Sequence, residues 1–387
     1  MKKLLKIPIK LEKLSLKSKK VLFICDYSIW DNCEKLFAED FLNNCSSLIL
    51  KDVSADEKNL KKIISKAKNF EYILGFGSGT INDLCKLSAK NLNIPYSIIA
   101  SAASMNGYLS KNASIKIKGH KKTISATLPE KVFYNLEILK SAPIELTKAG
   151  IGDVMCFYSC WFDWYLSHLV FQTKFDLKPF KILAKKMDFL VQNYRKFTIN
   201  DDEFLEILFD ILLVSGRGMA IAGGSYPASQ SEHLIAHIID MKYDLKNILH
   251  GQQIAVTTIT SSNLQKQLLL KKKTTFNQVD FLKKEMEDFL GKKIAKECEK
   301  EFLQKTFKPN QVSKINAKLK NNWPIYQKKL QKIYFDNEKL KRIFEHFKID
   351  FSVKKLGIKN DQYLRCVDSA KFIRNRLTCL DFATSIR

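Results

Sequence analysis

Tyr72-Ile-Leu-Gly-Phe-Gly-Ser-Gly-Thr-Ile-Asn-Asp-Leu-Cys-Lys86 is the stretch on which the fold turns. A short apolar run, Tyr72 to Gly75, has the length of a buried strand. It passes through the turn Gly75-Phe-Gly-Ser-Gly79 into a helical pattern from Thr80 to Lys90. Glycines at such a turn let backbone N–H groups approach an anion, and the following helix N-terminus adds a favourable dipole. A bare GxGxG also occurs as a tight strand-to-helix turn, so taken alone it leaves both readings open. No Lys-Ser/Thr follows the last glycine, which argues against a Walker A loop. The glycine spacing, and the turn's late place in the sheet, argue against an ordinary Rossmann fingerprint.

The same rhythm extends on both sides. Val21 to Cys25, Ser47 to Leu50 and Tyr96 to Ile99 read as strands, with helices over Cys33 to Leu42 and Asp56 to Lys68. Short apolar runs alternating with helical periodicity predict a parallel, Rossmann-like sheet with crossover helices, an α/β domain over residues 1–144. Beyond Pro143 the β-branched runs vanish. Phe204 to Val214, Glu232 to Asp240, the Lys-rich region from Asn263 to Lys348, and Gln362 to Ile386 all read as helical. The expectation is an all-α second domain over 145–387, with a ligand cleft between the two domains. A chain of 387 residues exceeds what one hydrophobic core usually supports, which also favours two domains.

The net charge of +25 raises the question of nucleic acid. Of the 65 basic residues only 7 are arginine, the residue that phosphate forks and base readout favour. The lysines are scattered over amphipathic helices, and the expectation is a solvated surface with no nucleic-acid partner. The charge still attracts anionic ligands at long range. No apolar run approaches the roughly 20 residues of a membrane span. The N-terminus lacks an apolar core with a cleavage site, and the nine cysteines form no CxxC, so a cytoplasmic protein with reduced thiols is expected. Cys25, Cys85, Cys156 and Cys160 read as core residues.

Three of the six histidines, His233, His237 and His250, fall within eighteen residues. A helix and a short loop can fold His233 and His250 onto one point, while His237, one turn beyond His233, competes with it as a ligand. Asp153, in Gly150-Ile-Gly-Asp153, is the candidate third ligand, with a helix N-cap as its alternative role. Imidazole nitrogen and carboxylate oxygen suit zinc or ferrous iron, and three protein ligands leave positions open for substrate or water.

Together these motifs resemble, in order along most of the chain, the glycerol-1-phosphate dehydrogenase family. That family lies within the dehydroquinate synthase-like and iron-containing alcohol dehydrogenase superfamily. The resemblance is carried by Gly75 to Lys86, by Ile99-Ala-Ser-Ala-Ala-Ser-Met-Asn-Gly-Tyr108, and by Ala149 to Asp153 with Asp163-Trp164. It continues through Ala222-Gly-Gly-Ser-Tyr-Pro-Ala-Ser-Gln-Ser-Glu-His233, Leu249-His-Gly-Gln-Gln253 and Arg374-Asn-Arg-Leu-Thr-Cys-Leu-Asp381. It implies a dehydroquinate synthase-like fold and a divalent metal held by Asp153, His233 and His250. Zinc is the expected ion, with iron or nickel as alternatives. It implies NAD or NADP across Gly77, Ser78, Gly79 and Asp83, with Ser101 and Ser104 near the nicotinamide and Asp26 toward the adenosine end, and Asn106 as a catalytic residue at the reacting centre with the three metal ligands. The implied reaction is reduction of a small phosphorylated substrate, dihydroxyacetone phosphate to sn-glycerol 1-phosphate.

Three positions depart from the family's usual residues. Asn106 stands where aspartate is common, Tyr226 where arginine is common, and Gln230 where glycine is common. A phenol holds a phosphate less strongly than a guanidinium fork, which shifts attention to Lys121 and Lys122 as phosphate partners. The competing readings are a dehydrogenase of another polyol, a dehydroquinate synthase-like cyclase, and a non-enzymatic basic binding protein. Homo-oligomerisation is left open.

Overall fold

A computed structural model of the chain describes residues 6–8, 20–30, 46–117, 120–243, 245 and 248–383. Eight strands come first: β1 (Lys6–Pro8), β2 (Val21–Asp26), β3 (Ser46–Leu50), β4 (Tyr72–Gly77), β5 (Tyr96–Ala100), β6 (Asn112–Ile117), β7 (His120–Ser125) and β8 (Val132–Tyr134). Among and after them run α1 (Glu57–Ala67), α2 (Gly79–Leu92), α3 (Leu136–Ser141), α4 (Ile144–Met155), α5 (Phe157–Phe171), α6 (Lys178–Asn193) and α7 (Asp202–Ala222). The rest is helical: α8 (Ser231–Lys242), α9 (His250–Leu270), α10 (Lys283–Leu290), α11 (Lys292–Leu303), α12 (Pro309–Gln331), α13 (Asn337–His346) and α14 (Asn360–Ser369). The chain divides into two compact units, one of residues 1–151 with 183–221, the other of 152–182 with 222–387. Residues 183–221, assigned to the second domain from sequence, thus group with the first unit.

In the first unit six parallel strands lie in the order β1-β8-β5-β4-β2-β3. The strands read as continuous apolar runs because both faces of the sheet are covered, as parallel sheets require. Phe23, Leu74, Phe76, Ile99 and Phe133 pack on one face, and Leu22, Ile24, Ile73 and Ile98 are equally buried on the other. Each such side chain contributes about 1.5–3 kcal/mol. The chain runs from β2 outward to β3 and then returns to β4 on the opposite side of β2. The carboxyl ends of β2 and β4 therefore flank a point where the strand order reverses, the place where open α/β sheets bind ligands.

Strand β4 continues two residues past Gly75, into the glycine turn itself. Helix α1 starts where Asp56 accepts a hydrogen bond from the Asn59 backbone N–H at 2.8 Å. The helix expected over Cys33 to Leu42 lies outside the described residues. The antiparallel hairpin β6–β7, absent from the sequence reading, is tied to α2 by Asp83, which accepts from the Ser114 N–H at 2.8 Å.

In the second unit, α5 is apolar around most of its circumference because most of it is buried, with His168 exposed. Its Phe162, Leu166 and Val170 join Leu234, Ile238, Val256, Trp323 and Phe372 in one core. The expected helix from Gln362 to Ile386 stops at Ser369. Beyond it the described chain makes short 3-10 turns, because side chains compete for the backbone there. Thr378 and Asp381 close a capping box, and buried Lys305 pairs with Asp381 at 2.6 Å while donating to the Arg376 carbonyl at 2.8 Å. No helix among the described residues is long and apolar enough to cross a membrane. The seven described cysteines are buried.

Candidate metal centre and dinucleotide turn

Asp153 lies inside α4, two residues before its end, so the alternative of an N-cap does not hold. Its carboxylate is buried at 2% exposure. His233 is the third residue of α8 and His250 the first of α9. The loop between those helices returns His250 so that its ring centroid lies 5.1 Å from that of His233. One donor atom from each of Asp153, His233 and His250 lies within 4.8 Å of the other two. His233 Nε2 is 4.0 Å from Asp153 Oδ1. His237 sits nearby, with its ring 6.0 Å from His233, but it is not part of this donor set.

Two glycines bring the ligand-bearing helices together. A Cβ on Gly152 would collide with the carbonyl oxygen of Gly251, so the backbones of α4 and α9 touch where only hydrogen fits. Asp153 and His250 each adjoin one of these glycines in sequence. Gln253 on α9 donates to Asp240 on α8 at 2.9 Å and fixes the third side of the arrangement.

Glu232 orients the central imidazole. His233 Nδ1 lies 2.9 Å from Glu232 Oε1, and because a carboxylate only accepts, Nδ1 carries the proton and the Nε2 lone pair faces Asp153. Glu232 is fully buried and accepts further bonds from Ser159 Oγ at 2.9 Å, Cys160 Sγ at 3.0 Å and the Gln230 N–H at 2.7 Å. Burial alone would raise its pKa; the His233 imidazole, with Gln230 and Cys160, outweighs burial and holds the carboxyl at about 2. Outer carboxylates of this kind fix the tautomer of a metal-ligating histidine and raise its basicity. Sequence reasoning passed over Glu232, although it directly precedes a candidate ligand, and read Cys160 as plain core.

Asp163 is a third buried carboxylate, with a structural task. It accepts from the N–H of Ser231 at 3.2 Å, the N–H of Cys379 at 3.1 Å and Gln265 Nε2 at 3.2 Å, joining α5, the start of α8, α9 and the C-terminal turns. Burial pushes its carboxyl up to about 6, with the hydrogen bonds from Ser231, Cys379 and Gln265 holding it back.

In the first unit, Gly77 ends β4, Ser78 precedes α2, and Gly79 is the first residue of that helix. A Cβ at Gly77 would come within 2.6 Å of Ile81, so packing demands this glycine. Gly79 is different: its nearest neighbour would be Met105 at 3.6 Å, ordinary contact, and nothing in the protein requires the missing side chain. Ser78 makes no side-chain capping bond to the helix. Ser101 follows β5 and its N–H donates to the Gly77 carbonyl at 3.1 Å, bringing the second serine-rich loop against the turn. Ser104 is buried, and Asn106 opens a short 3-10 turn whose Gly107 carbonyl accepts from buried Lys86 at 2.7 Å. Asp26 ends β2, on the other side of the strand-order reversal, and caps the turn after it by accepting from the Ser28 N–H at 2.9 Å. Asp83, on α2, accepts from the Ser114 N–H and lies 3.6 Å from Lys86 Nζ. Lys122 is exposed on β7, and the side chain of Lys121 lies outside what is described.

Residues 4–143 match the model of the iron-containing alcohol dehydrogenase family. Over 231 residues the chain is 32% identical to the glycerol-1-phosphate dehydrogenase [NAD(P)+] of Pyrococcus furiosus, which covers 60% of this chain and 66% of that protein. The chain resembles the glycerol-1-phosphate dehydrogenase family. A member from Geobacillus thermodenitrificans is 29% identical over 211 residues, 54% of this chain and 52% of its own length. The chain thus matches between half and two thirds of the length of these relatives. Among solved structures, a probable glycerol dehydrogenase from Sinorhizobium meliloti 1021 aligns with a TM-score of 0.63 over 95% of this chain and 86% of its own, at 14% identity. Identity that low speaks for the fold alone, an α/β unit with a parallel sheet followed by a helical region.

Proposed function

We infer that the chain is a metal-dependent NAD(P)H-linked oxidoreductase that reduces a small keto-phosphate, with dihydroxyacetone phosphate to sn-glycerol 1-phosphate as the best-fitting reaction. The observation that carries this reading is the Asp153, His233 and His250 donor set, with His233 oriented by the buried Glu232 carboxylate. The donors fit a divalent ion: two imidazoles and one carboxylate converge, and Glu232 fixes the tautomer that leaves Nε2 free to ligate. Zinc is the ion proposed, since two nitrogens and one oxygen suit its borderline character. When bound, the metal supplies Lewis acidity toward a ketone oxygen, and the nicotinamide supplies hydride.

The chain's own residues would do the rest. Asp153, His233 and His250 would hold the cation. The backbone at Gly77, Ser78 and Gly79 would lie against the pyrophosphate, and at Gly79 a Cβ would make only ordinary contact with Met105, so packing does not demand that glycine. Asp26 would face the adenosine side, across the strand-order reversal from Gly77. Ser101, Ser104 and Asn106 would border the nicotinamide. Asp83 would act by fixing α2 to the hairpin. The balanced reaction takes ketone, NAD(P)H and one proton to alcohol and NAD(P)+.

The test is a cofactor-oxidation screen of keto-phosphates and unphosphorylated ketoses, with metal analysis of the same sample. Steady NADH or NADPH consumption with a keto-phosphate, and about one zinc per chain, is the expected result. A reaction without net cofactor turnover would point to a cyclase. His250→Ala should lose both metal and turnover while still binding dinucleotide; full activity in this variant would overturn the ligand assignment.

A further inference from the structure

The second unit holds a cavity of about 150 Å³ that none of Asp153, His233 and His250 lines. It is walled by Trp164, Lys174, Tyr226, Gln230, Asn375 and Arg376, and no aspartate or glutamate is among the residues lining it. Tyr226 stacks on Trp164 with ring centroids 5.4 Å apart, and the Arg376 guanidinium lies over the phenol ring at 4.7 Å. Lys174 is exposed at the cavity's edge, its carbonyl held by Trp164 Nε1 at 2.7 Å.

Arg376 is partly buried without a carboxylate. Its Nη1 donates to the Ser229 carbonyl and, at 3.0 Å, to Ser229 Oγ, and its Nη2 donates to Ser225 Oγ at 2.7 Å. These neutral acceptors anchor the loop before α8. They occupy three of the five N–H donors of a guanidinium, and among the described residues Nε and the second Nη2 hydrogen have no acceptor. Glu232 acts on the guanidinium through space, with no ion pair between them. A cation partly withdrawn from water with no carboxylate in direct contact is costly, and Glu232 offsets that cost only from a distance. Free guanidinium donors, a lysine in the lining and the amides of Gln230 and Asn375 suit a tetrahedral oxyanion.

We propose that this cavity binds phosphate, with Arg376 and Lys174 supplying the charge. Its source is either the phosphate end of a phosphorylated substrate or free inorganic phosphate, and the cavity's chemistry is the same for both. The inference stands on the cavity alone and does not depend on the reductase reading.

The experiment is calorimetric titration of inorganic phosphate into the zinc-loaded full chain at low ionic strength. Saturable binding of one phosphate per chain is expected, weakened at least ten-fold in Lys174→Glu with zinc content unchanged. Arg376→Gln should abolish binding, but because Arg376 also anchors the loop, the exposed Lys174 variant decides the question. Absence of saturable binding, or equal affinity in Lys174→Glu, would overturn the proposal. Competition between phosphate and a keto-phosphate would assign the site to the substrate's own phosphate. Binding of both together would assign it to free phosphate. Phosphate binding without any ketone turnover would remove the reductase reading and leave the cavity's role intact; turnover without phosphate binding would do the reverse.

Discussion

His233 donates its Nδ1 proton to Glu232 Oε1 across 2.9 Å, which turns the other ring nitrogen toward Asp153. Glu232→Gln keeps the shape of the side chain and removes the charge that fixes the tautomer. Zinc affinity, measured by competition with a chromophoric chelator, should fall by about 10–100-fold. Unchanged affinity would mean that Glu232 only fills space.

Gly77 and Gly79 should separate fold from cofactor. Gly77→Ala puts a methyl group 2.6 Å from branched Ile81 and should cost about 1–3 kcal/mol in urea denaturation. Gly79→Leu should leave stability nearly unchanged while weakening NADPH or NADH at least ten-fold, read by cofactor fluorescence. Equal dinucleotide affinity in the Leu variant would make the turn purely structural.

Buried Lys86 holds the loop that carries Asn106. Its ammonium donates to the carbonyls of Gly107 at 2.7 Å and Asn112 at 3.0 Å and lies 3.6 Å from Asp83. Lys86→Met removes one partner and strands the other charge, which should cost about 3–5 kcal/mol in chemical denaturation. A loss under 1 kcal/mol would show the network to be dispensable.

Asp163 gives a pH prediction whose sign is opposite to that of most acids. Its folded pKa, about 6, lies above its ordinary value near 4, so the native state binds the extra proton between those values. Its contribution to stability is fullest below about pH 4 and is lost as pH rises through about 6, on the order of 2–3 kcal/mol. Urea denaturation at pH 4 and pH 6.5 should show a smaller fall in Asp163→Asn than in the parent protein. Identical pH slopes would contradict the assignment.

The parallel sheet was legible because strands buried on both faces are written as unbroken apolar runs, and the glycine turn marks where β4 meets α2. The hairpin β6–β7 was missed although Ala113, Ile115 and Ile117 alternate with polar residues, since its lysines read as a solvated surface. The last helix was placed too long because Arg374 to Asp381 looks helical by composition. Its backbone is instead claimed by Thr378 and Asp381 within the segment and by Lys305 from far outside it, a partner no local pattern reveals. At the metal centre, histidine spacing exposed the ligands. Glu232 escaped notice because its partners Ser159 and Cys160 are more than seventy residues away in sequence.

The contact between Gly152 and Gly251 sets the gauge of the metal centre. Side chains can re-pack and surfaces can fill with lysine, but two backbones in van der Waals contact have no slack to absorb such changes. The spacing of Asp153 and His250 is therefore fixed by the stiffest ruler a protein possesses, and it is insulated from the composition of everything around it.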